Sequence, residues 1–257
     1  MIYRSPIYLK YKYKINNTNH KITSFKAILL TRSFCPHCQR KIHFFDNIPL
    51  LGFLIQKGKC RFCHDKISLT YPLVEIAISF LFIFIFFSFG FNQLSIILCI
   101  FISFLFCLSI IDIRDQFLPD YLTLSLLILG LVFNYFGFLI SFREAILGSI
   151  IGFLFLWLTG KIYYLKSKQY GLGLGDVKLF AAIGAWLGLN ALLPVILLAS
   201  FLAILFFILF YLYHFLFKQT KKHLFKTAIA FGPFLSIAAF IILICHNNIY
   251  LKLLSII

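Results

Sequence analysis

Carboxylates are scarce in this chain. Asp and Glu together number 8, against 24 Lys and Arg. Asp46, Asp65, Glu75, Asp112, Asp115, Asp120, Glu144 and Asp176 are the whole supply, so any acid–base chemistry by carboxylates has to come from them. Charge of either sign is thin, at 12% of residues, while 61% are hydrophobic and 34 are Phe. That excludes an ordinary soluble domain, because no domain of 257 residues needs so much apolar surface. The chain has no G-x-G-x-x-G phosphate-binding signature and no recognisable soluble methyltransferase domain, and no inverted repeat of the kind transporters carry is apparent. No signal-peptide pattern opens it either. Residues 1–14 alternate basic and apolar positions without an apolar core of sufficient length.

What is present is a series of apolar runs, most of them long enough to cross a bilayer. They fall near residues 72–89, 94–111, 121–140, 145–165, 177–189, 191–217 and 227–246. The expected fold class is an all-α polytopic membrane protein of about seven transmembrane helices. A small cytoplasmic four-cysteine zinc-binding region precedes them. The expected division is a basic region over residues 1–71 and a transmembrane domain over residues 72–257.

The net charge of +16 invites a nucleic-acid partner, but its placement argues for lipid instead. Thirteen of the basic residues lie before the first apolar run, and others sit at Lys166, Lys168, Lys178 and from Lys218 to Lys226. With the N-terminal region in the cytoplasm, these loops all return to the cytoplasmic side, as the positive-inside rule requires. The same tracing puts Asp112 and Asp176 on that one face, each where an apolar run meets water. No nucleic-acid partner is expected.

Two C-x-x-C pairs, Cys35–Cys38 and Cys60–Cys63, stand 21 residues apart (39–59) in the basic region. Each pair presents two sulfurs on one side of a tight turn, and two such turns complete a tetrahedral shell for structural zinc. The surrounding Lys and Arg favour thiolates. A pair of disulfides, or free thiols, is the alternative. His37, His43 and His64 are read as surface residues, and Cys99, Cys107 and Cys245 as apolar-run residues.

Asp176 closes the stretch Gly171-Leu172-Gly173-Leu174-Gly175-Asp176. An ionisable residue where a membrane helix begins is a functional candidate, and a helix-capping aspartate is the plainer alternative. Asp112 is its counterpart at the end of an apolar run. Two aspartates that approach each other cannot both ionise cheaply. One can then take a proton from water while the other polarises a carbonyl, which is amide hydrolysis without a covalent intermediate. A cation site or a proton relay in a transporter would use the same pair. The glycines at 173 and 175 are expected to leave room for a substrate backbone, and Asp120 to cap the helix after Pro119.

Cys35-Pro36-His37-Cys38, Asn47-Ile48-Pro49-Leu50, Cys60-Arg61-Phe62-Cys63, the segment from Ser68 to Glu75, Asp112 to Asp120, Gly173 to Lys178 and Phe231-Gly232-Pro233 follow one another in an order that resembles the type IV prepilin peptidases. The similarity runs from residue 2 to about residue 245. These are bifunctional leader peptidase/N-methyltransferases of the bacterial inner membrane. The resemblance implies an aspartyl peptidase domain over 72–257 with its active site on the cytoplasmic side. It implies Asp112 and Asp176 as catalytic residues and Cys35, Cys38, Cys60 and Cys63 as the zinc ligands. The implied substrates are type IV prepilins and type II secretion pseudopilins, cleaved just after a glycine. The implied methyl donor for the new N-terminus is S-adenosylmethionine. Two departures stand out. Family members carry an apolar helix before an I-Y-R-x-P segment, whereas this sequence opens Met1-Ile2-Tyr3-Arg4-Ser5-Pro6. Asp46 also replaces the usual Glu before Asn-Ile-Pro. The alternative expectation is therefore a truncated, catalytically inactive homologue that keeps the membrane fold.

Overall fold

The computed structural model of the chain describes residues 35, 37–38, 40–43, 45–168, 171–216 and 230–254. The basic opening segment and the Lys218–Lys226 loop used above to orient the chain lie outside the described residues. Those described form two compact units, one within Met1–Phe87 and one within Ser88–Ile257.

In the first unit a 3-10 turn, Phe45–Asn47, leads into a short helix α1, Leu51–Ile55. The long helix α2, Thr70–Phe89, follows the second cysteine pair. Pro72 lies in its first turn, where a missing N–H costs no hydrogen bond. Gly52 packs its bare Cα against the Asp46 carbonyl so tightly that any side chain there would collide with the backbone.

Among its described residues the second unit has six helices: α3 Gln93–Asp115, α4 Asp120–Tyr135, α5 Phe142–Ser167, α6 Leu174–Leu187, α7 Leu189–Leu216 and α8 Gly232–Leu254. Their ends have identifiable causes. Asn92 caps α3 by accepting the Ser95 N–H at 2.8 Å. Ser141 caps α5 through the Glu144 N–H, and Glu144 adds a favourable charge in the first turn. Gln116 and Lys168 close α3 and α5 in the left-handed conformation.

The third apolar run was expected to stay helical to Ile140, but α4 stops at Tyr135. Asn134 accounts for this. Its buried side chain accepts the N–H groups of Leu139 and Ile140 and donates to the Ala185 carbonyl of α6 at 2.8 Å. That network turns the chain, and Gly137 supplies the positive φ, 76°, that the turn needs. The boundary expected near Asn190 also moves: Gly188, at φ 80°, breaks the chain between α6 and α7.

Helix α6 is the core. Every residue from Leu179 to Trp186 is buried. It meets α5 backbone to backbone, since a Cβ on Gly184 would lie 2.3 Å from the Gly148 carbonyl and one on Gly148 would lie 2.5 Å from that of Gly184. Small residues allow such approach where no water-driven hydrophobic effect pulls helices together. On its other side Trp186 lies against Gly130 of α4 and donates its indole N–H to the Leu126 carbonyl at 2.8 Å. Helix α8 packs on α7, α3 and α6.

Four helices are long and apolar enough to cross a membrane by length and composition: α2, α3, α5 and α7. Among the described residues seven helices occupy the places of the seven expected spans, but α4 and α6 are shorter, and in α8 the apolar stretch covers only Gly232–Cys245. At 14 residues, α6 rises only about 21 Å, short of a hydrocarbon core of about 30 Å. It is held by neighbouring helices instead of spanning alone. Helix α7 turns Phe201, Ile204, Phe206 and Leu209 outward, as lipid contact requires.

Candidate active site and metal centre

Among the described residues, the first unit gathers the four motif cysteines with no histidine in the group. The ligand atoms of Cys35, Cys38, Cys60 and Cys63 all lie within 4.8 Å of one another, and all four residues are free thiols. The turns that build the cluster are matched. The Cys35 N–H donates to the Arg40 carbonyl at 2.9 Å, and the Cys60 N–H to the Asp65 carbonyl at 2.8 Å. His64 takes a positive φ, 58°, to close the second turn. The Cys35 and Cys63 sulfurs are 3.8 Å apart. That equals the edge of about 3.8 Å for a tetrahedron of thiolates around zinc. The donor set therefore fits a four-coordinate, closed metal site.

The electrostatics of the cluster point the same way. N–H groups of Cys63 and then Phe62 hold the Cys60 thiol down to about 7. The Asp65 N–H pulls Cys63 down too, but desolvation and the sulfurs of Cys60, Cys35 and Cys38 outweigh it and push Cys63 up to about 12. The cluster cannot hold four negative sulfurs without a cation. The spare histidines are occupied elsewhere: His37 pairs with Asp65 at 3.2 Å, and His43 stacks on Phe62.

Between the knuckles, Asp46 pairs with Arg61 at 3.5 Å. Leu50 takes φ 61° in a three-residue turn closed by the Leu51 N–H on the Pro49 carbonyl, a strained conformation. The Leu50 N–H points to Glu75 of α2, whose carboxylate accepts it at 2.8 Å. In the sequence Glu75 stands in a motif that does not reveal this role. The available signal was a lone acid in the first two turns of an apolar helix.

In the second unit, Asp112 lies in the last turn of α3 and Asp176 in the first turn of α6. Asp112 is 5% exposed. Its Oδ2 accepts the backbone N–H of Gly232, the first residue of α8, at 2.9 Å. Asp176 receives an N–H from Gly173, while its Oδ1 is buried with no hydrogen-bond partner. The two carboxylates interact electrostatically. The fold thus brings together residues 64 positions apart in sequence.

Three local expectations change. Asp176 does not cap α6; Gly173 is the N-cap and Asp176 stands three residues inside. Asp120 does not cap α4 either. Pro119 takes that position, and Asp120 pairs with Lys178 of α6 at 2.6 Å, a favourable charge in a helix first turn. The space beside Gly175 is taken by Leu118, whose Cβ lies 2.7 Å from where a Gly175 side chain would begin. Gly173 is exposed, and a Cβ there would lie 3.3 Å from Asp176 Oδ2, so a side chain would crowd that oxygen. Asp115, at the end of α3, is exposed.

Gly232 is the residue that sequence reasoning left without a role. A Cβ there would lie 2.6 Å from Asp112 Oδ2. Its signal in the sequence was Phe231-Gly232-Pro233, a motif of the resemblance lying inside the last apolar run.

Two family models match this chain. Residues 99–208 match the type IV leader peptidase family, and residues 1–89 match the bacterial peptidase A24 N-terminal domain. The similar proteins include three named prepilin leader peptidase/N-methyltransferase. That of Pectobacterium carotovorum subsp. carotovorum is 38% identical over 205 residues, covering 80% of this chain and 71% of the relative. That of Neisseria gonorrhoeae is 33% identical over 261 residues, covering 97% and 86%. That of Aeromonas hydrophila is 36% identical over 222 residues, covering 86% and 74%. No solved structure matches the chain. With a closed four-cysteine centre, a buried Asp112 interacting with Asp176 in a helical membrane unit, and matches of this extent, the chain belongs to the type IV leader peptidase family.

Proposed function

We propose that this protein is the aspartyl endopeptidase that removes the basic leader of type IV prepilins and type II secretion pseudopilins, cleaving just after a glycine, and then N-methylates the new N-terminus. The observation that carries the peptidase reading is the pairing of Asp112 with Asp176 at adjoining helix ends. The reaction would run at the cytoplasmic side of the bacterial inner membrane, with residues 1–71 as a cytoplasmic zinc region and residues 72–257 as the peptidase domain.

One aspartate of the pair is ionised and the other protonated. The ionised one takes a proton from water as the hydroxide adds to the scissile carbonyl carbon. The protonated one gives its proton to the carbonyl oxygen. Collapse of the neutral diol then breaks the C–N bond. The proton taken from water goes to the leaving amine, and a diol proton returns to the second aspartate, so both groups regain their starting states. Gly173 is exposed and puts no side chain against Asp176 Oδ2, which suits the approach of an extended substrate backbone. Cys35, Cys38, Cys60 and Cys63 would hold a structural zinc, which supplies folding energy to a unit with little core. The methyl group would come from S-adenosylmethionine. Among the described residues no set of side chains can be assigned to that donor, and methyl transfer rests on the names of the relatives.

The test is incubation of membranes containing the chain with a prepilin and mass analysis of the product's N-terminus. Leader loss with one added methyl group supports both activities. Leader loss alone supports only the peptidase, and an intact prepilin supports the inactive-homologue alternative.

A further inference from the structure

Hydrogen-bond accounting at the head of α8 singles out one donor. A helix leaves its first N–H groups without intrahelical partners, and burial makes each one costly unless it finds an acceptor. Here the Phe234 and Leu235 N–H groups both reach the Phe231 carbonyl, at 3.1 and 3.2 Å. Pro233 has none to place. The Gly232 N–H remains. It goes to Asp112 Oδ2, and both residues are buried. The carboxylate therefore sits at the positive end of a 23-residue helix, touching a donor that no side chain at position 232 would let it reach.

The other carboxylate has a different setting. Asp176 Oδ1 is buried and unpartnered. An ionised oxygen left so is costly, whereas a protonated one presents an O–H to whatever enters the site.

We propose that Gly232 is a positioning residue for the peptidase reaction: its backbone N–H, at the start of α8, holds Asp112 as the carboxylate that takes the proton from water, leaving Asp176 to hold the proton given to the scissile carbonyl. This rests on the peptidase reading above and divides the labour within it. The charged and titratable groups around Asp112 are few. Helix α6 brings Asp176, and the heads of α6 and α4 also carry Lys178, Asp120 and Tyr121. Lys178 and Asp120 are engaged with each other. Arg114 and Asp115, on α3 itself, are exposed. The first three turns of α8 carry no charged side chain. The Gly232 N–H is thus a local donor that can be removed without altering any charge.

The experiment replaces Gly232 by glycolic acid in the full chain, which turns its amide into an ester, removes the N–H and adds no atom. Prepilin cleavage is followed against pH in membranes beside the unmodified protein. Loss of a hydrogen bond to a charged group should move the acidic limb of the profile up by about one to two pH units. Cleavage should fall tenfold or more on that limb and recover as the pH rises. An unmoved limb, or a loss of equal size at every pH, overturns the proposal. Gly232→Ala keeps the N–H but pushes Asp112 aside, and should lose cleavage throughout; full cleavage by that variant also overturns it. Asp112→Asn and Asp176→Asn run alongside. If the unmodified protein does not cleave, the peptidase reading itself fails; if either variant cleaves normally, the Asp112–Asp176 pair is misassigned. If both are inactive and the limb does not move, only the role of Gly232 fails.

Discussion

Lys178 Nζ lies 2.6 Å from Asp120 Oδ1, tying the head of α6 to the head of α4 across 58 positions of sequence. Lys178 stands two residues after Asp176, so the contact anchors the turn that carries that aspartate. The Asp120 side chain is 61% exposed, however, and water and salt screen such a pair. Asp120→Asn should therefore cost less than about 1 kcal/mol and leave prepilin cleavage largely intact. Thermal unfolding at low and high salt checks this: the small difference between variant and parent should shrink as salt rises.

Asp112→Asn and Asp176→Asn should each abolish cleavage, because a pair that shares one proton has no substitute for either member. Asp115→Asn should cleave normally, since Asp115 is exposed at the helix end and lies outside the pair. A prepilin gel-shift assay on the three variants, with metal content as the check on folding, separates them. Normal cleavage by Asp112→Asn would move the active carboxylate to another member of its cluster.

Gly175→Ala places a methyl group 2.7 Å from Leu118 Cβ. Overpacking of this kind costs about 1–3 kcal/mol. The strain falls between the loop after α3 and the first turn of α6, so Asp176 should shift with it. The expected result is a lower unfolding midpoint together with lost cleavage. Pairing it with Leu118→Gly, which removes the colliding carbon, should recover part of both. An unchanged midpoint in Gly175→Ala would show that the contact is not close in solution.

The purified protein should carry about one zinc held by the four cysteines. Cys35→Ser with Cys60→Ser should remove it and lower the stability of the first unit. Because thiolates are the ligands, metal loading should release protons, Cys63 giving one up even at neutral pH since its thiol lies up at about 12. Falling pH should then weaken binding. Calorimetric titration in buffers of different ionisation enthalpy measures the protons released. Full zinc content in the double variant would sink the assignment.

Much of this protein can be read along the chain because the relevant signals are local. Apolar runs mark helices wherever lipid or a packed interior takes the place of water, and seven such runs became seven helices. Two C-x-x-C pairs marked the four-cysteine cluster, since each turn carries its own two sulfurs. Asp112 and Asp176 were visible as acids where apolar runs end or begin.

Other features have no one-dimensional trace. The length of α4 was set by Asn134, whose partners on α6 lie 51 and 52 positions away. The bare faces of Gly148 and Gly184 look like any glycines until two backbones meet there. The partner of Asp112 was the least legible, because a backbone N–H belongs to every residue except proline. Position 232 became its donor only when α8 folded back against α3 and left that N–H buried against Asp112 Oδ2. Sequence carries the kinds of groups available; which buried donor meets which acceptor depends on how the helices pack, because an unpaired polar group in the interior is too costly to leave to chance.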